Sequence, residues 1–377
     1  MSAPGPAPNP AARADAAPPP RAGATERGGA TERDGRPVIA LDPLATPGNG
    51  FCELFAAALA PRPVEALDWD RAVRGHYDAA VLHWPTAFFR PSRRAWTALA
   101  LLRMARARVR GTRFVWVVHN LRPHDGGGAE SALTRTAFLW LLSGIVHLSE
   151  FSRGALRREY RLAPWTREAV TVHGAYPGKA APPREPGGPT RLLLFGHVRR
   201  YKNIPHLVSL VRAVPELSLV VAGRVWDDAL AREIRDAAGD DPRIRLDLRD
   251  APLGDDEIER VIADCDVVAL PYGEGGGSVL NSGVAFHALS RGRRVLAPAI
   301  GALPELSRAV GPGWMHVFEP PLTEQALRAF SATPPPAGQP DLSRHGWDRV
   351  GRDVGGFLDE LTASRRPEAA RARLVPS

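Results

Sequence analysis

A lysine stands at position 202 in the stretch LLLFGHVRRYKNIPHLVSLV (192–211), in a chain that has one other lysine and 47 arginines. An apolar run ends at Gly196, and a helix is expected to start after Asn203. The loop HVRRYKN (197–203) between them presents Arg199, Arg200 and Lys202 at the end of a strand. Helix N-termini attract anions, and an ammonium is a compact point charge suited to phosphate. A solvated basic loop is the plain alternative. A chain that writes nearly all its positive charge as arginine and keeps lysine here favours the phosphate.

A second stretch, LPYGEGGGSVLNSGVAFHALSRGRRVLAP (270–298), reads as strand, glycine-rich loop, helix, glycine, strand. Its loop GEGGGS is flexible enough to close over a ligand. Ser282 and Gly283 near the helix start would turn backbone N–H groups toward a phosphate. Asn120, Asn203 and Asn281 each follow a strand end or open a helix, where turn and capping chemistry is the alternative. In the other half of the chain, HNLRPHDGGG (119–128) offers His119, His124 and Asp125 as candidates for a general base. His83, in LHWP, is read as structural.

These loops need a scaffold. PVIAL (37–41), YDAAVLHW (77–84), TRFVWVVHN (112–120) and AVTVHGAY (169–176) are apolar runs rich in β-branched residues, and so strands. FCELFAAALA (51–60) is a helix. TAFLWLLSGIVHLS (136–149) is a helix end running into a strand, and SEFSRGALRREY (149–160) is a helix that opens on Ser149 as N-cap. PGKAAPPREPGGPT (177–190) is a linker by composition. The alternation then restarts at RLLLFG (191–196) and continues to MHVFEP (315–320), in strands apolar enough to be buried on both faces. After a second linker, PPPAGQP (334–340), the pattern HGWDRVGRDVGGFLDELTA (345–363) is helical and is expected to pack back on the first domain.

The expected fold class is therefore α/β, with two doubly wound Rossmann-like domains facing a central cleft. The first spans 36–178 with helix 345–363 added, and the second spans 190–333. Residues 1–35 form a Pro/Ala-rich tail and 364–377 a basic one. Ligands in such sheets bind at the carboxyl ends of the strands, which places the site in the cleft.

Composition narrows the function classes. The formal charge is +8, of which +1 lies in residues 1–36 and +3 in 364–377. The remaining +4 argues for an anionic ligand or lipid surface rather than nucleic acid. Cys52 and Cys265 lie far apart with no CxxC or Cys/His neighbourhood, so two buried thiols are expected. No DxD-like metal motif ends a strand; WDD (226–228) reads as a helix N-cap with first-turn acids. The start lacks the apolar core of a signal peptide, and no run reaches the roughly 18 apolar residues of a membrane span. A cytoplasmic protein is expected.

Residues 191–330 resemble the donor-binding domain of GT-B glycosyltransferases, particularly the family 4-like (group 1) enzymes and their exopolysaccharide relatives. FGHVRRYKN resembles that family's FG-x-[IV]-R-x-YK-[GN] element, and LPY…NSG…AL…G…VLAP its second signature. GNGF before a helix, VLHWP and WVVHN agree less specifically, and the whole resemblance covers about 37–363. It implies a sugar transfer from a nucleotide-diphosphate donor to a hydroxyl of a glycan, glycolipid or similar acceptor, with no cofactor and no metal. It implies that Arg199 and Lys202 bind the donor diphosphate in the loop between Gly196 and Asn203, helped by Asn281, Ser282 and Gly283. It also implies that His119 faces the transferred sugar.

The chain departs from the family in two places. The usual pair of glutamates, eight positions apart, falls on Val279 and His287. Glu274, five residues earlier, could replace the first, and His287 could make the ribose contact of the second without charge. His197 stands where many members have arginine. Retention and inversion both stay open. If the enzyme inverts, His119, His124 and Asp125 are the candidate bases. Two rivals also stand: a nucleotide-sugar epimerase of the same architecture and a non-catalytic pseudo-transferase.

PSRRAWTALALLRMARARVRG (91–111) is a basic helix with Trp96, Leu99, Leu102 and Met104 available to an apolar face. One reading packs it on the sheet. The other lays it on an anionic membrane, as a peripheral contact near a lipid-linked acceptor.

Overall fold

Short apolar strands separated by helices cannot pair as hairpins. Each must cross over and lie parallel to an earlier strand. In the computed structural model, which describes residues 36–46, 49–85, 94–121, 131–182, 184, 187–273 and 280–363, the chain does this twice. The first sheet contains β1 (Ile39–Asp42), β2 (Val64–Ala66), β3 (Ala79–Leu82), β4 (Arg113–Val118), β5 (Leu142–His147) and β6 (Arg167–Val170). Their order is β2-β1-β3-β4-β5-β6, with every neighbouring pair parallel. Helices α1 (Phe51–Ala58), α2 (Trp69–Ala72), α3 (Arg94–Val109), α4 (Ala132–Leu141) and α5 (Glu150–Glu159) connect them.

The second sheet contains β7 (Thr190–Phe195), β8 (Leu217–Arg224), β9 (Ile244–Arg249), β10 (Val267–Ala269), β11 (Arg294–Pro298) and β12 (Met315–Phe318). Its order is β12-β11-β10-β7-β8-β9, again all parallel. Its helices are α6 (Ile204–Ala213), α7 (Asp228–Ala238), α8 (Asp255–Ala263), α9 (Gly283–Ser290), α10 (Leu303–Ala309) and α11 (Glu324–Ser331). The strand order reverses at β1 in one sheet and at β7 in the other. Loops after such strands diverge and leave a crevice, so the topology puts both crevices where the two sheets meet. All described residues belong to one compact unit that begins at Arg36.

The last helix, α12 (Trp347–Thr362), lies against α1, β5 and β6. Val350, Val354, Phe357, Leu358 and Leu361 join Phe51, Phe55 and Leu59 in one core. Glycine makes the approach close: a Cβ on Gly351 would stand 2.2 Å from the Ala58 carbonyl oxygen.

Several sequence expectations shift. β2 and α11 were not visible in the pattern. The strand expected over 169–176 ends at Val170, and residues beyond it run irregularly toward the second sheet, burying Thr171, His173 and Tyr176. Met104 does not share an outer face with Trp96. It is fully buried with Ala100 and Ala107, while Trp96, Leu99 and Leu102 are 43%, 47% and 66% exposed. Helix α3 is therefore apolar on two faces, and the sheet uses only one. Cys52 and Cys265 are free, buried thiols, and burial pushes them up to about 11 and about 12. Among the described residues no helix is long and apolar enough to cross a membrane.

Candidate active site

The second-sheet wall begins at Gly196. Its φ is +90°, and its carbonyl oxygen lies where a Cβ on Gly223 would be, 1.8 Å away, so the ends of β7 and β8 meet without side chains. The chain then makes a 3-10 turn at Arg200–Lys202 and reverses through Asn203, whose φ of 50° and ψ of 42° are left-handed. Asparagine tolerates that conformation better than most residues. Asn203 thus has a backbone role in launching α6, and it is not among the residues lining the cleft.

This turn folds Lys202 inward. The residue is only 4% exposed, and Nζ donates to the Phe195 carbonyl at 3.2 Å. Burial, and then the nearby Arg199 charge, bring its pKa down to about 8. An ammonium held with one neutral partner at a cleft wall is poised to gain from an anion. The neighbouring arginines behave differently. Arg200 is exposed and pairs with Asp227 at 2.8 Å and Glu233 at 3.2 Å, away from the cleft. Arg199 lies over the Trp226 ring at 4.0 Å, with Arg224 at 4.3 Å and His197 at 4.8 Å around the same indole. Of the three cations in the loop, Lys202 alone lines the cleft. Asp227 caps α7 by accepting from the Leu230 N–H, as the WDD reading expected.

The start of α9 faces Lys202. Ser282 is its N-cap and accepts from the Ala285 N–H at 3.2 Å. Helix α9 begins at Gly283, and a Cβ there would meet the Tyr176 hydroxyl at 3.2 Å. Asn281 also lines the cleft, with its Nδ2 buried and without a hydrogen-bond partner among the described residues. His287 stacks on Tyr176, with centroids 3.5 Å apart and planes at 17°. Burial, and then the Arg291 charge, lower its pKa to about 4, so it is neutral at physiological pH. Glu274 lies outside the described residues.

The first-sheet wall is aromatic. His119 directly follows β4, packs edge-on against Phe51 with centroids 4.7 Å apart, and stacks on Trp84 at 4.6 Å. Its Nε2 lies 3.1 Å from Nδ1 of His83. Desolvation, and then the His83 and His173 rings, hold its pKa well below the usual histidine value. His173 reaches across to stack on Phe286 at 4.4 Å, joining the two walls. His124 and Asp125 lie outside the described residues. Asp42, which the sequence reading passed over, ends β1, and its carbonyl accepts the His83 N–H at 2.9 Å. Its carboxylate keeps solvent access and has no hydrogen-bond or ion-pair partner among the described residues, and desolvation raises its pKa.

Together the walls enclose a cleft of about 420 Å³. Gly196, Lys202, Asn281, Ser282, Gly283, His287 and His119 all line it; Arg199 and Asn203 do not. Thr46, Asn49, Trp84, His173, Tyr176 and Tyr272 also line it; the sequence reading gave none of them a role, although Asn49, Trp84 and Tyr272 fall within GNGF, VLHWP and LPY. Position was a further signal, since Thr46, Trp84, His173 and Tyr272 each lie within four residues of a strand's carboxyl end. Among the described residues no group of three or more His, Cys, Asp or Glu is placed to hold a metal ion.

Two facing Rossmann-like sheets with a buried lysine on one side of the cleft and a histidine wall on the other define the GT-B architecture of glycosyltransferases. Solved structures agree on this fold. Anabaena HepE, in complex with UDP and glucose, superposes with a TM-score of 0.55 at 14% identity, covering 89% of this chain and 98% of its own. Sucrose-phosphate synthase from Thermosynechococcus elongatus gives the same TM-score, identity and coverages. No family model matches the chain. A GDP-mannose:glycolipid 4-beta-D-mannosyltransferase of Xanthomonas campestris pv. campestris (strain ATCC 33913) is 32% identical over 296 residues, covering 74% of this chain and 79% of the relative. A second protein of that name, from Xanthomonas campestris pv. campestris, is 31% identical over 295 residues, with the same coverages. The chain belongs to this family of GT-B glycosyltransferases.

Proposed function

We propose that the protein transfers mannose from GDP-mannose to a hydroxyl of a lipid-linked glycan, forming a β linkage. The observation that carries this reading is the 32% identity to the Xanthomonas mannosyltransferase over 74% of the chain. Mannose is α-linked in GDP-mannose, so a β product means inversion at C1. In this reading Lys202 and the N–H groups at the start of α9 hold the diphosphate and stabilise the charge that develops as it leaves. His287 meets the nucleotide by neutral hydrogen bonding, and His119 faces the sugar. An inverting attack needs a base. Asp125 is the carboxylate candidate from the sequence, and Asp42, at the carboxyl end of β1 but not among the residues lining the cleft, is a second. The missing glutamate pair of family 4, replaced by Val279 and His287, accords with a different stereochemical course.

The acceptor's lipid gives the outer face of α3 a use. The adjoining α4 carries two more exposed apolar side chains, Leu133 (79% exposed) and Trp140 (50% exposed). Arginines 103, 106 and 110 belong to the same region. Such a surface suits peripheral contact with an anionic bilayer.

The test is a transfer assay with GDP-mannose, UDP-glucose and other nucleotide-sugars on a glycolipid acceptor, with the product anomer read by NMR. A β-mannoside is expected, and EDTA should leave the rate unchanged. An α product, or transfer from a different donor only, would overturn the reading. Sugar interconversion without transfer would favour the epimerase, and binding without turnover the pseudo-transferase.

A further inference from the structure

His83, which the sequence marks only as a residue after a strand, is fully buried. Its Nδ1 lies 3.1 Å from His119 Nε2, and its own Nε2 is buried with no partner among the described residues. Two phenylalanines hold the ring edge-on, Phe55 with centroids 4.8 Å away at 89° and Phe51 at 5.8 Å and 79°. The ring is clamped, and His119 is its hydrogen-bonding partner.

A bond between two neutral imidazoles needs one proton shared between two nitrogens. Burial keeps both rings neutral. If the proton sits on His119 Nε2, then His83 must carry its own proton on Nε2, as a buried N–H with no acceptor. If it sits on His83 Nδ1, the buried His83 Nε2 carries only a lone pair, and the remaining N–H is on His119 Nδ1, which is not among the buried unpartnered atoms. Orphaned buried N–H groups are rarer in folded proteins than under-satisfied acceptors. The second arrangement wins.

We propose that His83 is a positioning residue: its Nδ1–H donates to His119 Nε2 and fixes His119 as the tautomer protonated on Nδ1. His119 then has its lone pair occupied and an N–H to give. It acts as a hydrogen-bond donor to an oxygen of the bound sugar nucleotide, and the proton of the acceptor hydroxyl goes to a carboxylate. The identity of that oxygen rests on the glycosyl-transfer reading above, but the tautomer does not.

Long-range 15N–1H correlation spectra of the 15N-labelled full chain read each histidine tautomer directly, with His119→Gln and His83→Asn assigning the two rings. His119 should show a protonated Nδ1 and a bare Nε2; a protonated Nε2 overturns the proposal whatever the enzyme's substrates prove to be. Kinetics supply a second arm. Asparagine places an amide N–H near the Nδ1 position, so His83→Asn should hold kcat close to wild type. His83→Leu should lower it by about tenfold, the cost of one hydrogen bond of ~1.4 kcal/mol, with donor KM little changed. Melting temperatures identify any variant that fails to fold. Equal loss in both folded variants, or loss in neither, overturns the proposal.

Discussion

The Lys202 ammonium is folded back on its own strand, donating at 3.2 Å to the carbonyl of Phe195, seven residues earlier. The sequence favoured a phosphate-binding lysine over a solvated basic loop, and the charge is buried. Lys202→Ala is expected to weaken GDP binding by about 1.5–3 kcal/mol, the range for hydrogen bonds to charged groups. Titration calorimetry measures it, and unchanged affinity would remove Lys202 from the diphosphate site.

The same residue sets a pH dependence. Its folded pKa of about 8 is below the ordinary lysine value of 10.5, so the fold disfavours the charged form. As pH rises through about 8 the free enzyme loses this charge, and GDP affinity should fall in wild type but not in Lys202→Met. The sign for stability is opposite: the penalty is full below that pH and fades as pH rises toward 10.5, so Lys202→Met should melt higher than wild type at pH 7.

Base chemistry divides between histidine and carboxylate. His119→Ala should lower kcat by about 10²-fold, as for other lost donors to a transition state. Wild-type kcat/KM should show no limb near pH 6.5, because His119 is neutral throughout that range. Asp42→Asn and Asp125→Asn distinguish the two carboxylates. The true base should cost about 10²–10⁴-fold in kcat. If it is Asp42, the acid limb of the wild-type profile should lie above the usual carboxylate range, since its pKa is raised and activity is lost as pH falls through it. Near-wild-type rates in both variants would exclude both.

The outer face of α3 can be tested without touching the cleft. Trp96→Ser, Leu99→Ser and Leu102→Ser together should abolish sedimentation with vesicles containing anionic lipid and leave transfer to a water-soluble acceptor intact. The three are 43–66% exposed, so the melting temperature should hold. Failure of the unaltered protein to bind such vesicles would refute the contact.

Much of the fold was legible because parallel strands buried on both faces leave continuous apolar runs, as in β7 and β11. β2 escaped because three residues, Val64–Ala66, at a sheet edge leave too short a pattern. Of the site, Lys202, Ser282 and Gly283 could be read from loop chemistry. Arg199 could not be placed, because its position depends on Trp226, 27 residues later, which draws its guanidinium onto the indole face. Nor could the importance of His83, which lies 36 positions from His119 and meets it only once β3 and β4 pair.

The packing of α12 orders events during synthesis. The first sheet's α1 face is covered by Val350, Val354, Phe357, Leu358 and Leu361, some 300 residues after Phe51 and Phe55. A ribosome making this chain releases β1–β6 long before their cover exists, whereas the second sheet has its own helices as it emerges. The half translated first is therefore the half completed last, and until α12 arrives it presents an apolar face to which chaperones or other nascent chains can bind. The glycine at 351 that lets α12 seat against the Ala58 carbonyl acts at that final step. Gly351→Ala should depress the yield of soluble protein more than it depresses the melting temperature of the molecules that do fold.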